Sequence, residues 1–231
     1  MVRIGADIDP DITSTAALIG DPSRARILVA LADGRALPAG ELARVARITP
    51  QTASAHLDKL FRGHLLAVEV QGRHHYYRLR DTYVAELLES LSRVALPAPA
   101  LTTTQNDRAR TLRFARTCYG HLVGQLGVAV TQALSAGNFL CNDDAGYHVT
   151  TKGEAWFGAL GIELAALTQR PLTRRCLDWS ERRHHLAGAL GVALLKRMIE
   201  LKWVARVRES RALRLSDRGR VALRSELRME L

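Results

Sequence analysis

A pair of short helices separated by a tight turn, between residues 41 and 63, restricts the possible folds more than any other feature of this chain. The first helix is predicted over ELARVAR (41–47). Thr49 followed by Pro50 starts the second, because a threonine side chain caps the free amide groups of a first turn, where proline is tolerated. This second helix, TPQTASAHLDKLFRG, ends at Gly63. The pair predicts a helix-turn-helix.

Two β-rich segments follow the helix pair. LLAVEV (65–70) and HHYYRL (74–79) are joined through a glycine turn, which predicts a β-hairpin. Upstream, GDPSRARILVAL (20–31) predicts a further helix, with Asp21 as its cap. A hairpin placed directly after a helix-turn-helix makes a winged helix-turn-helix.

The second helix of the pair carries small and polar side chains that suit base edges in the major groove of DNA. Basic side chains on this helix and at the tip of the hairpin suit phosphates. The residues predicted to contact DNA are Thr49, Gln51, Thr52, Ser54, Ala55, Lys59, Arg62, Arg73 and His74. The residues predicted to face inward along the helix are Ala53, Leu57, Leu60 and Phe61.

About residues 12–95 resemble the ArsR/SmtB family of dimeric bacterial repressors. The resemblance is carried by GDPSRARILVAL, then ELARVARITPQTASAHLDKLFRGHLL, then VEVQGRHHYYRL. It implies a homodimer on a palindromic double-stranded DNA operator, released when an effector binds. It also implies that the dimer contacts come from a first helix (Ile12–Ile19) and from the helix after the wing (Thr82–Val94).

The metal ligands of that family are missing from the matching segments. Its arsenic- and cadmium-sensing members resemble one another in an ELCVCD stretch, which here reads ELARVA. Its zinc-sensing members carry Asp and His ligands on the last dimerisation helix, which here reads TYVAELLESLSRV and has no histidine. We therefore predict no metal site of the familiar kind and no cofactor.

A glycine-bearing decamer occurs twice in the C-terminal half, as HLVGQLGVAV (121–130) and HLAGALGVAL (185–194), with seven identical positions. Each copy is predicted to lie in a long helix that is followed by a hairpin and a second helix. The glycines are predicted to let the two long helices pack closely on each other.

The predicted fold class is therefore mainly α with short β-hairpins. A winged helix-turn-helix DNA-binding and dimerisation domain (1–96) is followed by a Pro/Thr-rich linker (97–107). The remainder (108–231) is a helical domain of two helix-hairpin-helix repeats, which we interpret as a sensor or oligomerisation module.

The candidate effector residues lie near the two decamers: Cys118, His121, Cys176, Trp179 and His185. Cys118 and His121 are three apart on one predicted helix and share a face. Thiol and imidazole groups are ligands of zinc and copper, and two cysteines can also form a redox pair. The favoured alternative is that the cysteines are small buried residues and the histidines are satisfied by backbone groups. A further alternative is an apolar ligand pocket lined by aromatic side chains: Tyr119, Phe139, Trp156, Phe157, Trp179 and Trp203.

The formal net charge of +10 is concentrated at the C-terminal end, where residues 170–231 hold 16 Lys and Arg against 7 Asp and Glu. Such a patch attracts phosphates, or is only a solvated face. Three scattered cysteines, the absence of a signal-peptide pattern and the lack of an apolar run of ~18 residues predict a cytoplasmic protein with no membrane partner.

These features together predict a DNA-binding transcriptional regulator, with a homodimeric repressor as the leading hypothesis and an effector of unknown identity. We do not predict an enzyme. The alternatives are an enzyme that uses Cys118 and His121 as nucleophile and base, and a winged-helix adaptor that binds protein instead of DNA. Neither an orienting third group nor a phosphate-binding glycine loop supports the first alternative.

Overall fold

The computed structural model describes residues 10–72, 74–95, 103–143, 146–168, 171–208 and 210–230. The chain forms two compact units. The N-terminal unit comprises Met1–Leu31 and Ala36–Arg80, and the C-terminal unit comprises Ala32–Arg35 and Asp81–Leu231.

The N-terminal unit is built from short helices and a small antiparallel sheet. Its elements are α1 (Ile12–Ile19), α2 (Pro22–Leu31), β1 (Leu37–Pro38), α3 (Ala39–Ala46), α4 (Pro50–Arg62), β2 (Leu66–Gln71) and β3 (His74–Leu79). The strands pair in the order β1-β3-β2, all antiparallel. This arrangement is a winged helix-turn-helix, with α3 and α4 as the helix pair and β2–β3 as the wing.

The predicted start of α4 is confirmed in detail. The Thr49 hydroxyl accepts a hydrogen bond from the Thr52 amide at 3.2 Å, and Pro50 is the first helical residue. Ala53, Leu57 and Leu60 are fully buried and fix the orientation of the helix. Phe61 was predicted to face inward, but its side chain is 48% exposed because it lies one position beyond the buried stripe.

The C-terminal unit begins with two helices and continues as alternating hairpins and helices. Its elements are α5 (Thr82–Val94), α6 (Thr103–Phe114), β4 (Arg116–Cys118), β5 (His121–Val123), α7 (Gln125–Ala136), β6 (Leu140–Asp143), β7 (Gly146–Val149), α8 (Thr151–Ala159), a 3₁₀ turn (Leu164–Ala166), β8 (Arg174–Leu177), β9 (His184–Ala187), α9 (Gly188–Glu200), β10 (Val204–Arg206), β11 (Leu213–Leu215) and α10 (Asp217–Leu227). The order hairpin, helix, hairpin, helix therefore occurs twice, from β4 to α8 and from β8 to α10.

These boundaries differ from the predicted ones in two places. The helix α6 begins at Thr103, inside the segment predicted as a linker (97–107), and residues 96–102 lie outside the described part of the chain. The helix α5, which was predicted to belong to the N-terminal domain, groups with the C-terminal unit.

The prediction that each decamer lies within one helix is wrong. Each decamer begins as a strand, β5 or β9, and becomes helical only after a glycine with positive φ, +86° at Gly124 and +81° at Gly188. A side chain at either glycine would also collide with backbone oxygens, at 2.6 Å from Arg113 O and 2.8 Å from Leu172 O. The glycine is therefore the strand-to-helix corner of each copy.

The second glycine of each decamer packs the new helix onto its own hairpin. A Cβ at Gly127 would lie 2.5 Å from Leu122 O, and one at Gly191 would lie 2.6 Å from Leu186 O. These glycines therefore mediate the approach of helix to strand in place of the predicted approach of helix to helix.

A single hydrophobic cluster forms the core of the C-terminal unit and includes both decamers. Four of the six aromatic side chains considered as a pocket lining belong to this cluster or pack on it: Phe157 is fully buried, Phe139 and Trp203 are nearly so, and Trp156 packs on Phe139 and Phe157. The other two, Tyr119 and Trp179, are not part of it. No described helix is both long and apolar enough to span a lipid bilayer.

Candidate functional site

The exposed face of α4 holds the residues predicted to contact DNA. Thr49, Gln51, Thr52, Ser54, Ala55, Lys59 and Arg62 are all exposed. Of these, Thr49 is also committed to capping the helix, and Arg62 forms an ion pair with Asp58 at 3.0 Å. Small and polar groups along one face allow a helix to approach base edges closely.

The wing presents a second exposed surface in the N-terminal unit. His74 is exposed and pairs with Gln71 at the end of the β2–β3 ladder. The positive φ of Gly72, +60°, allows the tight reversal between the strands. The other predicted wing-tip residue, Arg73, lies outside the described residues.

The candidate effector residues of the C-terminal unit lie on two hairpins. The prediction that Cys118 and His121 share one helix is therefore wrong. Cys118 on β4 pairs directly with His121 on β5, and Cys176 on β8 pairs directly with His185 on β9. Each repeat therefore places one cysteine opposite one histidine.

The two hairpins bring these four side chains together, and we call them the Cys/His cluster. The Sγ atoms of Cys118 and Cys176 and a ring nitrogen of His121 lie within 4.8 Å of one another. The Nε2 atoms of His121 and His185 are 3.1 Å apart, and the rings stack with centroids 5.1 Å apart. Cys118, His121 and His185 are at most 3% exposed, while Cys176 is half-buried.

The electrostatics of the cluster distinguish the two thiols. Hydrogen bonds from the Cys118 thiol, and also from His121 and His185, hold the pKa of Cys176 well below its ordinary value, although burial opposes this. The hydrogen bond to Cys176, together with burial, raises the pKa of Cys118. Burial also lowers the pKa of His121. Of the two thiols, Cys176 is therefore the one whose surroundings favour the thiolate form.

A buried acidic residue of α5 lies near the cluster. Glu89 is only 6% exposed, and its carboxylate contributes to the electrostatic environment of Cys118 and His121. It forms an ion pair with Arg211 at 3.4 Å. Sequence reasoning missed this role, although a carboxylate on the buried face that also holds Val84, Ala85 and Leu88 was a usable signal.

A fully buried ion pair joins the two hairpins. Arg116 on β4 donates to Asp178 Oδ2 at 2.9 Å, and both side chains are 0% exposed. Asp178 also accepts from the Gly124 amide at 2.7 Å and from the amides of Ser180 and Glu181. Trp179, predicted as an effector residue, packs against Arg116: the guanidinium carbon of Arg116 lies 4.7 Å from the centroid of the Trp179 ring.

A cavity of about 270 Å³ lies beside the cluster within the C-terminal unit. Cys176 and His184 line one part of it, and Glu86 and Glu89 of α5 line another. Cys176 is half-buried and lines this cavity, so it is the one cysteine of the cluster that is partly open to solvent.

The basic β10–β11 hairpin is partly neutralised inside its own unit. Arg211 is paired with Glu89, and Arg206 lies 3.8 Å from Asp33, a carboxylate that is itself fully buried. Arg208 and Arg214 are exposed. Part of the C-terminal excess of positive charge therefore serves internal ion pairs.

The comparisons with known proteins agree with this architecture. A helix-turn-helix domain family matches residues 19–69. The chain is 44% identical over 226 residues to the uncharacterized HTH-type transcriptional regulator YdfF of Bacillus subtilis (strain 168), covering 97% of this chain and 100% of YdfF. It is 40% identical over 78 residues to the HTH-type transcriptional regulator CmtR of Mycobacterium bovis, covering 34% of this chain and 65% of CmtR.

Among solved structures, the cadmium metal-sensor CmtR of Mycobacterium tuberculosis is 32% identical to this chain, with a TM-score of 0.32. The match covers 40% of this chain and 99% of CmtR. The match to YdfF, in contrast, includes both units of the present chain. Together with YdfF, the chain belongs to the winged helix-turn-helix transcriptional regulators, which bind DNA.

Proposed function

We propose that the protein is a homodimeric repressor that binds a palindromic operator through α4 and the wing. An effector that acts at the Cys/His cluster would release it from DNA. The observation that carries the proposal is the exposed face of α4. Gln51, Thr52 and Ser54 are exposed there and can contact base edges, and Lys59 is exposed further along the same helix. The helix has 13 residues, or about 20 Å, enough to cross a major groove.

The proposed dimer is supported by exposed apolar side chains on α5 and α1. On α5, Tyr83 is 78% exposed and Val94 is 80% exposed, with Leu91 at 40%. On α1, Ile12 is 74% exposed. A second copy of the chain that covers the α5 residues would remove this apolar area from water, at roughly 25 cal/mol per Å².

The proposed effector response is supported by the position of α5. This helix begins three residues after β3 of the wing ends, and two of its carboxylates form ion pairs beside the cluster, Glu89 with Arg211 and Glu86 with Arg174. A change in the cluster can therefore shift a helix that we propose for dimerisation. Such a shift alters the spacing of the two recognition helices, and DNA affinity changes with it.

We expect Lys59→Ala to weaken operator binding and to lower its dependence on salt. If Lys59 contacts a phosphate, its loss removes one released counterion, so the slope of log K against log salt falls by about 1. Fluorescence anisotropy with the DNA upstream of the protein's own gene, at several salt concentrations, measures this slope.

Lys196→Ala is the matched control, because Lys196 is an exposed lysine on α9 of the C-terminal unit. It removes the same charge and should leave the slope unchanged. Equal slopes for the wild type and Lys59→Ala would contradict the placement of α4 on DNA.

A further inference from the structure

The sequence repeat alone does not explain the Cys/His cluster, because three hairpins carry a Cys/His pair and only two of the pairs meet. Each hairpin contributes one cysteine and one histidine in direct cross-strand register, Cys118 with His121 and Cys176 with His185. A third pair of the same kind, Cys141 and His148 on β6–β7, is exposed, and its histidine is paired with Asp143 at 3.0 Å. Only the first two pairs converge.

We propose that Cys118, His121, Cys176 and His185 form a tetrahedral binding site for one thiophilic divalent metal ion of the Zn²⁺ class. The site lies wholly within the C-terminal unit, and its four ligands come from β4, β5, β8 and β9, not from the two segments in which the sequence lacks the family's familiar ligands. It deepens the effector part of the proposed function, because it names the chemical class of ligand that the same cluster would bind, and it can be tested without DNA.

The distances fit one ion. Zn–N bonds of about 2.0–2.1 Å and Zn–S bonds of about 2.3 Å place two nitrogen ligands about 3.3 Å apart in a tetrahedron, and two sulfur ligands about 3.8 Å apart. The Nε2 atoms of His121 and His185 are 3.1 Å apart. The ligand atoms of Cys118, His121 and Cys176 lie within 4.8 Å of one another, and a bound ion would draw them to these shorter separations.

The local backbone places two of the ligands as a zinc-binding turn would. Cys118 and His121 flank a two-residue turn in which Tyr119 and Gly120 both have positive φ, +44° and +91°. A turn with two such residues aligns the flanking positions side by side. Two intervening residues is also the short spacing common between paired zinc ligands.

Charge balance favours an ion in this buried place. Two thiolates and two neutral imidazoles neutralise a divalent cation, so the loaded site carries no net charge. The neighbouring Glu89 and Arg211 neutralise each other. Soft sulfur and imidazole ligands select against Mg²⁺ and Ca²⁺, which prefer oxygen.

Of the four proposed ligands, His185 has the least support from hydrogen bonds around it. His185 Nδ1 is buried and has no hydrogen-bond partner among the described residues, whereas ligating histidines usually donate through their second nitrogen. We therefore expect His185→Ala to weaken the site less than the loss of either cysteine, because water can occupy the vacated position.

Co²⁺ titration of the full-length, chelator-stripped and reduced protein tests the site without DNA. We expect one Co²⁺ per chain, with thiolate-to-cobalt charge-transfer absorption and tetrahedral ligand-field bands, and displacement by Zn²⁺. Cys118→Ser and Cys176→Ser should each lower Co²⁺ affinity by more than about 100-fold, the upper range for outer-shell changes. Cys141→Ser, the matched control from the exposed pair, should bind as the wild type does.

A second measurement avoids variants that fail to fold. Stoichiometric Zn²⁺ should slow alkylation of Cys176 in the wild-type protein at least tenfold, read by mass spectrometry, while Cys141 reacts at its former rate. Absence of the cobalt spectrum together with equal alkylation of Cys176 with and without Zn²⁺ would overturn the proposal. Rapid formation of a Cys118–Cys176 disulfide on addition of hydrogen peroxide as the two-electron oxidant, despite stoichiometric Zn²⁺, would also overturn it, in favour of a redox pair. Since neither readout involves an operator, failure here leaves the proposed function standing.

Discussion

Replacing Asp178 with asparagine is expected to lower the free energy of unfolding of the C-terminal unit by about 3–5 kcal/mol. Asp178 and Arg116 are both 0% exposed, and their ion pair joins the β4–β5 and β8–β9 hairpins. Removing the carboxylate charge leaves the guanidinium buried and uncompensated. This is among the most costly changes that a single substitution makes in a protein interior.

The same pair predicts a dependence on pH. Burial opposes ionisation of Asp178, but the Arg116 guanidinium and the surrounding donors keep the pKa of its carboxyl below the ordinary value of 3.8. Because the folded-state pKa is the lower one, the stabilisation is complete above that ordinary value and is lost as pH falls through the folded-state pKa. Asp178→Asn should therefore show less acid destabilisation than the wild type over this range.

Urea unfolding followed by tryptophan fluorescence reports on the C-terminal unit, where the ion pair lies. All three tryptophans, Trp156, Trp179 and Trp203, belong to the C-terminal unit. Glu200→Gln is the control, because it removes a carboxylate from a solvent-exposed pair with Arg197 and should cost less than about 1 kcal/mol. Adding Arg116→Met to Asp178→Asn should recover part of the loss. Equal midpoints for Asp178→Asn and Glu200→Gln would contradict the assigned role of the pair.

The double substitution Leu91→Glu and Val94→Glu is expected to convert the protein from dimer to monomer and to lower operator affinity about 10²–10⁴-fold. The two side chains are 40% and 80% exposed on α5. Charges there would have to be buried if a second copy covers this surface. A monomer contacts one half-site and loses the gain from binding two sites at once. Light scattering should report 25.5 kDa for the variant and twice that mass for the wild type.

Val221→Glu provides the matched control. Val221 is an apolar side chain on α10 that is 69% exposed, so its substitution tests whether any new surface charge has the same effect. It should leave both the mass and the operator affinity unchanged. A wild-type protein that is monomeric at the concentrations used for DNA binding would refute the proposed dimer.

The N-terminal unit was predictable because its signals are local. Thr49 and Pro50 define the start of α4 by short-range capping, and the burial of Leu57 and Leu60 follows from helical spacing. The wing follows from two β-rich segments around Gly72. Each of these features is decided within a few residues of sequence, so the surrounding structure need not be known.

The hairpins of the C-terminal unit were not predictable in the same way. Cys118 and His121 are three residues apart in both a helix and a two-residue hairpin, so spacing alone does not separate the two structures. The decamer has apolar residues on both sides of Gly124, and only the positive φ of that glycine ends the strand and begins the helix. The sequence similarity of the two copies was visible, but the mixed structure within each copy was not.

The convergence of the cluster depends on contacts distant in sequence. His121 and His185 are brought together by two hairpins 64 residues apart, and the buried pair of Arg116 and Asp178 spans 62 residues. No local pattern encodes such contacts. Arg116 and Asp178 are both fully buried, but the sequence alone does not show which of its many charged residues are.

Footprinting on the DNA upstream of the protein's own gene tests the central claim most directly, that two copies of α4 read an operator. We expect protection of two half-sites about 10–10.5 base pairs apart, or a multiple of that spacing, with an affinity at least about 10³-fold above that for random DNA. Gln51→Ala should lose about 1–3 kcal/mol of discrimination while the protein stays dimeric. Protection of a single unpaired site, or equal affinity for upstream and random DNA, would contradict the account.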